Sequence, residues 1–148
     1  MTVFQKLNLK DPEQIVVLNA PESFEPELAR LDGVKVLRKL DGVSEIDFSL
    51  TFVKTQREAD TLGSSVAKKV RGDAVVWFAY PKGSSKKYRS EINRDDGWKV
   101  MGDSGFEPVR MVAIDEDWSA IRFRRAEFIK TMKRGVEHRM SEAGRKKK

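Results

Sequence analysis

The stretch AVVWFAYPKGSSKKYRSEI, Ala74–Ile92, decides the reading of this chain. From Ala74 to Tyr80 it carries no charge. An apolar run that short predicts a strand buried on both faces, as in the middle of a parallel sheet. Pro81-Lys82-Gly83 leaves the strand, and Ser84 or Ser85 can cap a helix over Lys86–Asn93. The first turn of that helix is then basic, against the positive end of the helix dipole. Backbone N–H groups, serine hydroxyls and lysines at one place make an anion site. Lys82, Ser84, Ser85, Lys86 and Lys87 are therefore candidate ligand-binding residues. The competing reading is a solvated turn with a serine cap and lysines pointing into water.

Upstream, Met1–Pro12 is a lead-in with Phe4, Leu7 and Leu9 available to pack. Ile15–Leu18 is a first strand, bounded by Pro12 and Pro21. Asn19–Ser23 turns the chain, Ser23 caps a short helix, and Asp32-Gly33 stops it. Val34–Leu40 has the mixed pattern of an edge strand. In Ile46–Val53, Ile46, Phe48, Leu50 and Phe52 alternate with smaller or polar residues, which predicts a third strand. Thr55-x-x-Glu58 matches a capping box, with Ala59, Leu62, Val66 and Val70 as one helical stripe and Gly72 as its stop.

Downstream, Trp98, Val100 and Met101 begin a short helix that ends near Gly105. Val109–Ile114 and Trp118–Arg124 are two more strands. Only the polar turn Asp115-Glu116-Asp117 separates them, so they form an antiparallel hairpin. After Arg125 the pattern weakens, with Phe128, Ile129 and Met132 able to pack one more helical turn or an edge segment. From Gly135 the apolar surface is too small to offset ordering entropy. The expected organisation is one domain over 1–134 and a basic, disordered tail over 135–148.

Composition narrows the chemistry. Among 148 residues there is no cysteine and a single histidine, His138. That excludes disulfides, a thiolate nucleophile and a histidine cluster for metal, and it disfavours a Ser-His-Asp triad. Arg122–Lys148 carries 11 Lys and Arg against 3 Asp and Glu, a net of +8, which leaves 18 basic and 20 acidic residues before it, a net of −2. The overall charge of +6 is thus a property of the C-terminal segment. No signal pattern opens the chain and no apolar run approaches about 18 residues, so it reads as soluble and cytoplasmic.

The order of elements is an α/β layout: a three-layer, Rossmann-like fold with a mostly parallel sheet of about five to six strands and a C-terminal antiparallel hairpin. Ligands of such sheets bind beyond the carboxyl ends of the strands. Asn19–Ser23, Lys54–Gln56 and Pro81–Ser85 would lie there, which adds Asn19 and Ser23 to the candidate ligand residues. Glu22 is placed to pair with Lys82.

VVLNAPESF, FVKTQREAD, VVWFAYPKGSSKK and VAIDEDWSAIRFR together resemble a family of small bacterial domains of unknown function. They are distantly similar to a shortened methyltransferase fold. The resemblance spans Leu7–Arg125 and implies the fold, with no activity to carry over. The methyltransferase pattern itself is broken. Asn19-Ala20-Pro21-Glu22-Ser23 has no glycine to let backbone approach a nucleotide. Leu37-Arg38-Lys39 stands where ribose recognition needs an acid, and no GxxxxGK[ST] loop is present.

Three functional readings follow. The first is a binding domain, rather than an enzyme, for an anionic small molecule at the Pro81–Lys87 loop, with no cofactor and no metal. The second is nucleic-acid association through Arg122, Arg124, Arg125, Arg145, Lys146, Lys147 and Lys148, since such runs attract phosphate backbones without reading sequence. The third is a degenerate methyltransferase. Asp115–Asp117 reads as an acidic turn before a cation site, and Trp77, Trp98 and Trp118 as core before stacking platforms.

Overall fold

The computed structural model describes residues 2–10 and 14–129. Six segments become strands: β1 Gln14–Leu18, β2 Lys35–Leu37, β3 Ile46–Phe52, β4 Val70–Pro81, β5 Phe106–Ala113 and β6 Trp118–Arg125. They form one sheet in the order β2-β1-β3-β4-β6-β5. The pairs β1–β2, β1–β3 and β3–β4 are parallel, while β6 runs antiparallel to both β4 and β5. The Rossmann-like α/β architecture expected from the sequence is therefore present, with its C-terminal hairpin.

Alternation along the strands divides the core into two layers. Phe48, Leu50 and Phe52 of β3 and Trp77 and Ala79 of β4 share one face with Ile15 and Val17. α1 (Val3–Lys6) and α2 (Glu25–Ala29) cover it through Val3, Phe4 and Leu28. Val76, Phe78 and Tyr80 share the other face with Val16, Leu18 and Phe123. There α3 (Gln56–Ala67) and α4 (Lys99–Asp103) supply Ala59, Val66, Ala67 and Met101. β3 turns Ser49 and Thr51, both fully buried, away from its phenylalanines and toward the α3 side. Trp77, Trp98 and Trp118 are buried at 0%, 2% and 3% exposure, so all three pack the core.

Several boundaries differ from the sequence expectation. The lead-in contains α1, set by a capping box in which Thr2 Oγ1 accepts from the Gln5 amide and Gln5 Oε1 from the Thr2 amide. It delivers the Leu7 carbonyl to Trp77 Nε1 at 2.8 Å. Ser23 does not cap a helix; it lies inside a 3-10 turn, Glu22–Phe24, whose start has no side-chain cap. The third helix keeps its predicted Thr55–Glu58 box but ends at Ala67. Gly72 is not its stop. It lies in β4 with φ +52°, and Val70 joins the strand opposite Ile46.

The largest correction is at Lys86–Asn93, where no helix forms. Within that span the Glu91 amide bonds to the Lys54 carbonyl at 2.9 Å and the Ile92 amide to Ser90 Oγ at 3.2 Å, which diverts donors a helix would use. Ser85 Oγ does accept from the Tyr88 amide at 3.1 Å, the bond a helix N-cap makes, but no helical turn follows it. Asn93 Oδ1 takes the amides of Asp95 and Asp96. The basic helix start inferred there, with its dipole, is absent. Beyond β6 the chain makes a 3-10 turn, Ala126–Phe128. Met132 and the 135–148 tail lie outside the described residues. Among the described residues no helix is long and apolar enough to cross a membrane.

Candidate functional site

The parallel strands β1, β2, β3 and β4 end at one edge of the sheet, at Leu18, Leu37, Phe52 and Pro81. From β1 the chain goes to β2 on one side, while β3 lies on the other, so strand order reverses between β1 and β3. A crevice at such a reversal is where ligands of open α/β sheets sit.

Here the crevice is bridged by side chains. Asn19 holds a left-handed backbone, φ 61°, which asparagine tolerates better than most residues. Its Nδ2 donates to the Phe52 carbonyl and to Glu58 Oε2, each at 2.9 Å. Glu58 Oε1 accepts from the amides of Lys54 at 2.8 Å and Thr55 at 3.2 Å. Burial pushes the Glu58 carboxyl up, but those amides, the Asn19 amide and the Lys54 charge outweigh it and hold it below its ordinary value. Glu91 Oε1 accepts from the Gln56 amide at 2.9 Å, and Thr55 Oγ1 from the Glu58 amide at 3.1 Å. Protein acceptors thus already occupy much of the first turn of α3.

Two clefts flank this bridge. The first, about 520 Å³, lies between the ends of β1 and β2 and the side of α3. Leu18, Leu40 and Leu62 supply its apolar part, and Arg38, Lys39 and Arg57 its cations. Arg38 is held by Glu25 through two hydrogen bonds of 2.8 and 2.7 Å, which raise the guanidinium pKa and lower that of the carboxyl. Lys39 and Arg57 are exposed and make no ion pair among the described residues.

The second cleft, about 510 Å³, is walled by the loop after β4, with Tyr80, Lys82, Ser85, Tyr88, Arg89 and Ile92 in its lining. Ser85 Oγ donates to Asp117 Oδ1 at 2.8 Å, and the Lys82 amide to the Asp117 carbonyl at 2.8 Å. Lys54 and Lys87 lie over the Tyr88 ring at 5.6 and 5.4 Å. Burial raises the Tyr80 phenol pKa.

The residues singled out from sequence are not gathered at one point. Asn19 lines the first cleft, and Lys82 and Ser85 line the second. Ser84, Lys86 and Lys87 stand exposed on the loop, and Ser23 is exposed on its own turn. Among the described residues no ion pair joins Glu22 to Lys82. Sequence reasoning missed Lys39, Arg57 and Arg89. The available signal was position, since Lys39 follows the second strand and Arg57 opens a capped helix at the carboxyl edge.

The basic C-terminal set is divided too. Arg124 grips Asp73 through two hydrogen bonds of 2.8 and 2.6 Å. Arg125 donates to the Val70 carbonyl at 3.1 Å and lies over the Phe106 ring at 4.8 Å. Arg145, Lys146, Lys147 and Lys148 lie outside the described residues. Asp115 shapes its own turn, accepting the Asp117 and Trp118 amides at 2.8 and 2.9 Å.

No protein-family model matches the chain, and no curated protein matches it significantly. Solved structures do. A SAM-dependent methyltransferase from Aquifex aeolicus superposes with a TM-score of 0.52 at 12% identity, over 83% of this chain and 87% of that one. LepI in complex with SAM gives 0.51 at 10% identity, over 82% of this chain and 38% of LepI. At such identities the likeness is one of fold: the chain has a Rossmann-like fold of the kind found in SAM-dependent methyltransferases.

Proposed function

We propose that the protein binds a small organic anion in the cleft between the ends of β1 and β2 and α3. The observation that carries this reading is a leucine-lined cavity beside two cations, Lys39 and Arg57, that have no ion-pair partner among the described residues. Leu18, Leu40 and Leu62 would take the carbon skeleton, and the cations a carboxylate or phosphate. The loop cleft with Lys82, Ser85 and Arg89 is the rival place for the same ligand class.

A degenerate methyltransferase is the second reading, favoured by the fold likeness. Against it stand the glycine-free Asn19–Ser23 turn, the Asn19 bridge across the crevice, and two cations where a ribose would need an acid. The nucleic-acid reading keeps only its tail residues and Arg122, because Arg124 and Arg125 are engaged within the fold.

Thermal-shift titration with a panel of carboxylates, phosphates and S-adenosylmethionine tests these readings. The stabilising ligand is expected to be an anion, and Lys39→Ala with Arg57→Ala should weaken it at least tenfold. If Lys82→Ala with Arg89→Ala weakens it instead, the site is the loop cleft. A saturable shift with S-adenosylmethionine alone would replace the proposal with the methyltransferase reading.

A further inference from the structure

We propose that Met111 is a site of reversible oxidation to the sulfoxide, and that the Tyr80 hydroxyl holds the added oxygen. The described residues include two methionines, and the fold treats them oppositely. Met101 is 1% exposed and belongs to the core layer under α3 and α4. Met111 lies on β5, the outermost strand of the sheet, and is 39% exposed. A peroxide in solution reaches the second sulfur and not the first.

Tyr80 and Met111 share one face of the sheet. Tyr80 is two residues beyond Phe78 on β4, Phe78 is opposite Ile121 of β6, and Ile121 is opposite Met111. The Tyr80 hydroxyl donates to Met111 Sδ at 3.9 Å, its one hydrogen bond among the described residues. A thioether is a weak acceptor and that contact is long, so the phenol is poorly served. The rest of Tyr80 is buried, with its ring against Trp98 at 5.9 Å. Burial also raises its pKa, so the phenol keeps its proton and remains a donor.

Oxidation improves this bond. A two-electron oxidant, hydrogen peroxide, passes one oxygen atom to Met111 Sδ. A sulfur lone pair forms the S–O bond, the peroxide O–O bond breaks, and water leaves; sulfur is oxidised and peroxide reduced by the same two electrons. The sulfoxide is polar, and its oxygen accepts more strongly than the thioether and stands nearer the phenol. In a core position such as that of Met101 this polarity would be disruptive. At Met111 water solvates the exposed part and Tyr80 supplies the donor. Tyr80 also lines the loop cleft, so the modified side chain would fix one wall residue of that cleft. Methionine sulfoxide is reducible by its reductases, which makes the change reversible.

The full chain is treated with hydrogen peroxide, and sulfoxide at each methionine is followed by peptide mass mapping. Met111 should oxidise at least tenfold faster than Met101. NMR titration of the tyrosine ring carbons then reads Tyr80 apart from Tyr88. A phenol that donates to a stronger acceptor holds its proton more tightly, so the Tyr80 midpoint should rise on oxidation. Met111→Leu, treated in the same way, should show no rise, which assigns the effect to Met111 and not to another methionine. Methionine sulfoxide reductase should return the wild-type midpoint to its starting value. The proposal is overturned if Met111 oxidises no faster than Met101, if the Tyr80 midpoint does not move, or if it moves equally in Met111→Leu. A Met111 sulfoxide that the reductase leaves in place would overturn the reversibility.

Discussion

The parallel half of the sheet, β2-β1-β3-β4, and the β5–β6 hairpin obey different rules of access. Parallel neighbours need a connection that returns the chain to the starting edge. Here α2 and α3 make two of those returns, and between them they cover both faces of β1, β3 and β4. The two clefts lie at the strand ends of this half. The hairpin is joined by residues 114–117 alone and brings no helix with it. Its outer strand keeps exposed side chains along its length, Val109, Arg110 and Met111, the first and last at 41% and 39% exposure. The contrast shows how strand direction, through connection length, decides whether a helix accompanies each added strand.

The largest effect that could break this contrast is expected at the covered half. Trp77 is fully buried and bonded to the Leu7 carbonyl, so Trp77→Ala should cost about 3–5 kcal/mol. The urea midpoint measures it, and a loss below 1 kcal/mol would mean that α1 and its neighbours do not seal this face. A middle effect is expected at the crevice. Asn19→Ala removes the bridge to Phe52 and Glu58 and should cost about 1–3 kcal/mol. It should also return the Glu58 carboxyl toward its ordinary value, which carboxyl NMR titration reads directly.

The smallest effect is expected on the hairpin face. The Asp73–Arg124 pair is about one-third exposed on each side chain, so Asp73→Asn should cost no more than about 1 kcal/mol. Its pH dependence is the sharper readout. The Arg124 guanidinium, against the opposing effect of burial, holds the Asp73 carboxyl below its unfolded value. Its contribution is therefore complete above the unfolded pKa, near pH 4, and is lost as pH falls through the folded value. Stability curves of wild type and Asp73→Asn should converge on acidification below about pH 4. Curves that stay parallel would show that the pair contributes nothing to the folded state.

Much of the architecture was legible because its causes are local. The charge-free Ala74–Tyr80 run, the alternation of Phe48, Leu50 and Phe52, and the Thr55–Glu58 box each declare a strand or a helix start within a few residues. Lys86–Asn93 misled for an equally local reason. Ser85 makes a cap bond to the Tyr88 amide, but Ser90 takes the Ile92 amide inside the span and Asn93 takes the Asp95 and Asp96 amides beyond it, so turns replace the helix. The Glu91 amide, bonded to the Lys54 carbonyl, then holds the loop against the turn after β3. That contact joins segments far apart in the chain and leaves no trace in either one.

The sequence by itself determined that this is an α/β chain with a long apolar central strand, a closing hairpin and no glycine-rich nucleotide loop. Only the tertiary structure decided which cations share a cavity. Lys39 meets Arg57 because β2 pairs with β1 while α3 packs over the same edge. It also decided that Arg110 faces Arg122, since that follows from the register of two strands, including the irregularity at Pro108 and Arg110. Hydrophobic period and capping act over a few residues and are written in order along the chain. Register and crossover bring distant residues together, and so they set the charge pattern of every surface proposed to bind a ligand.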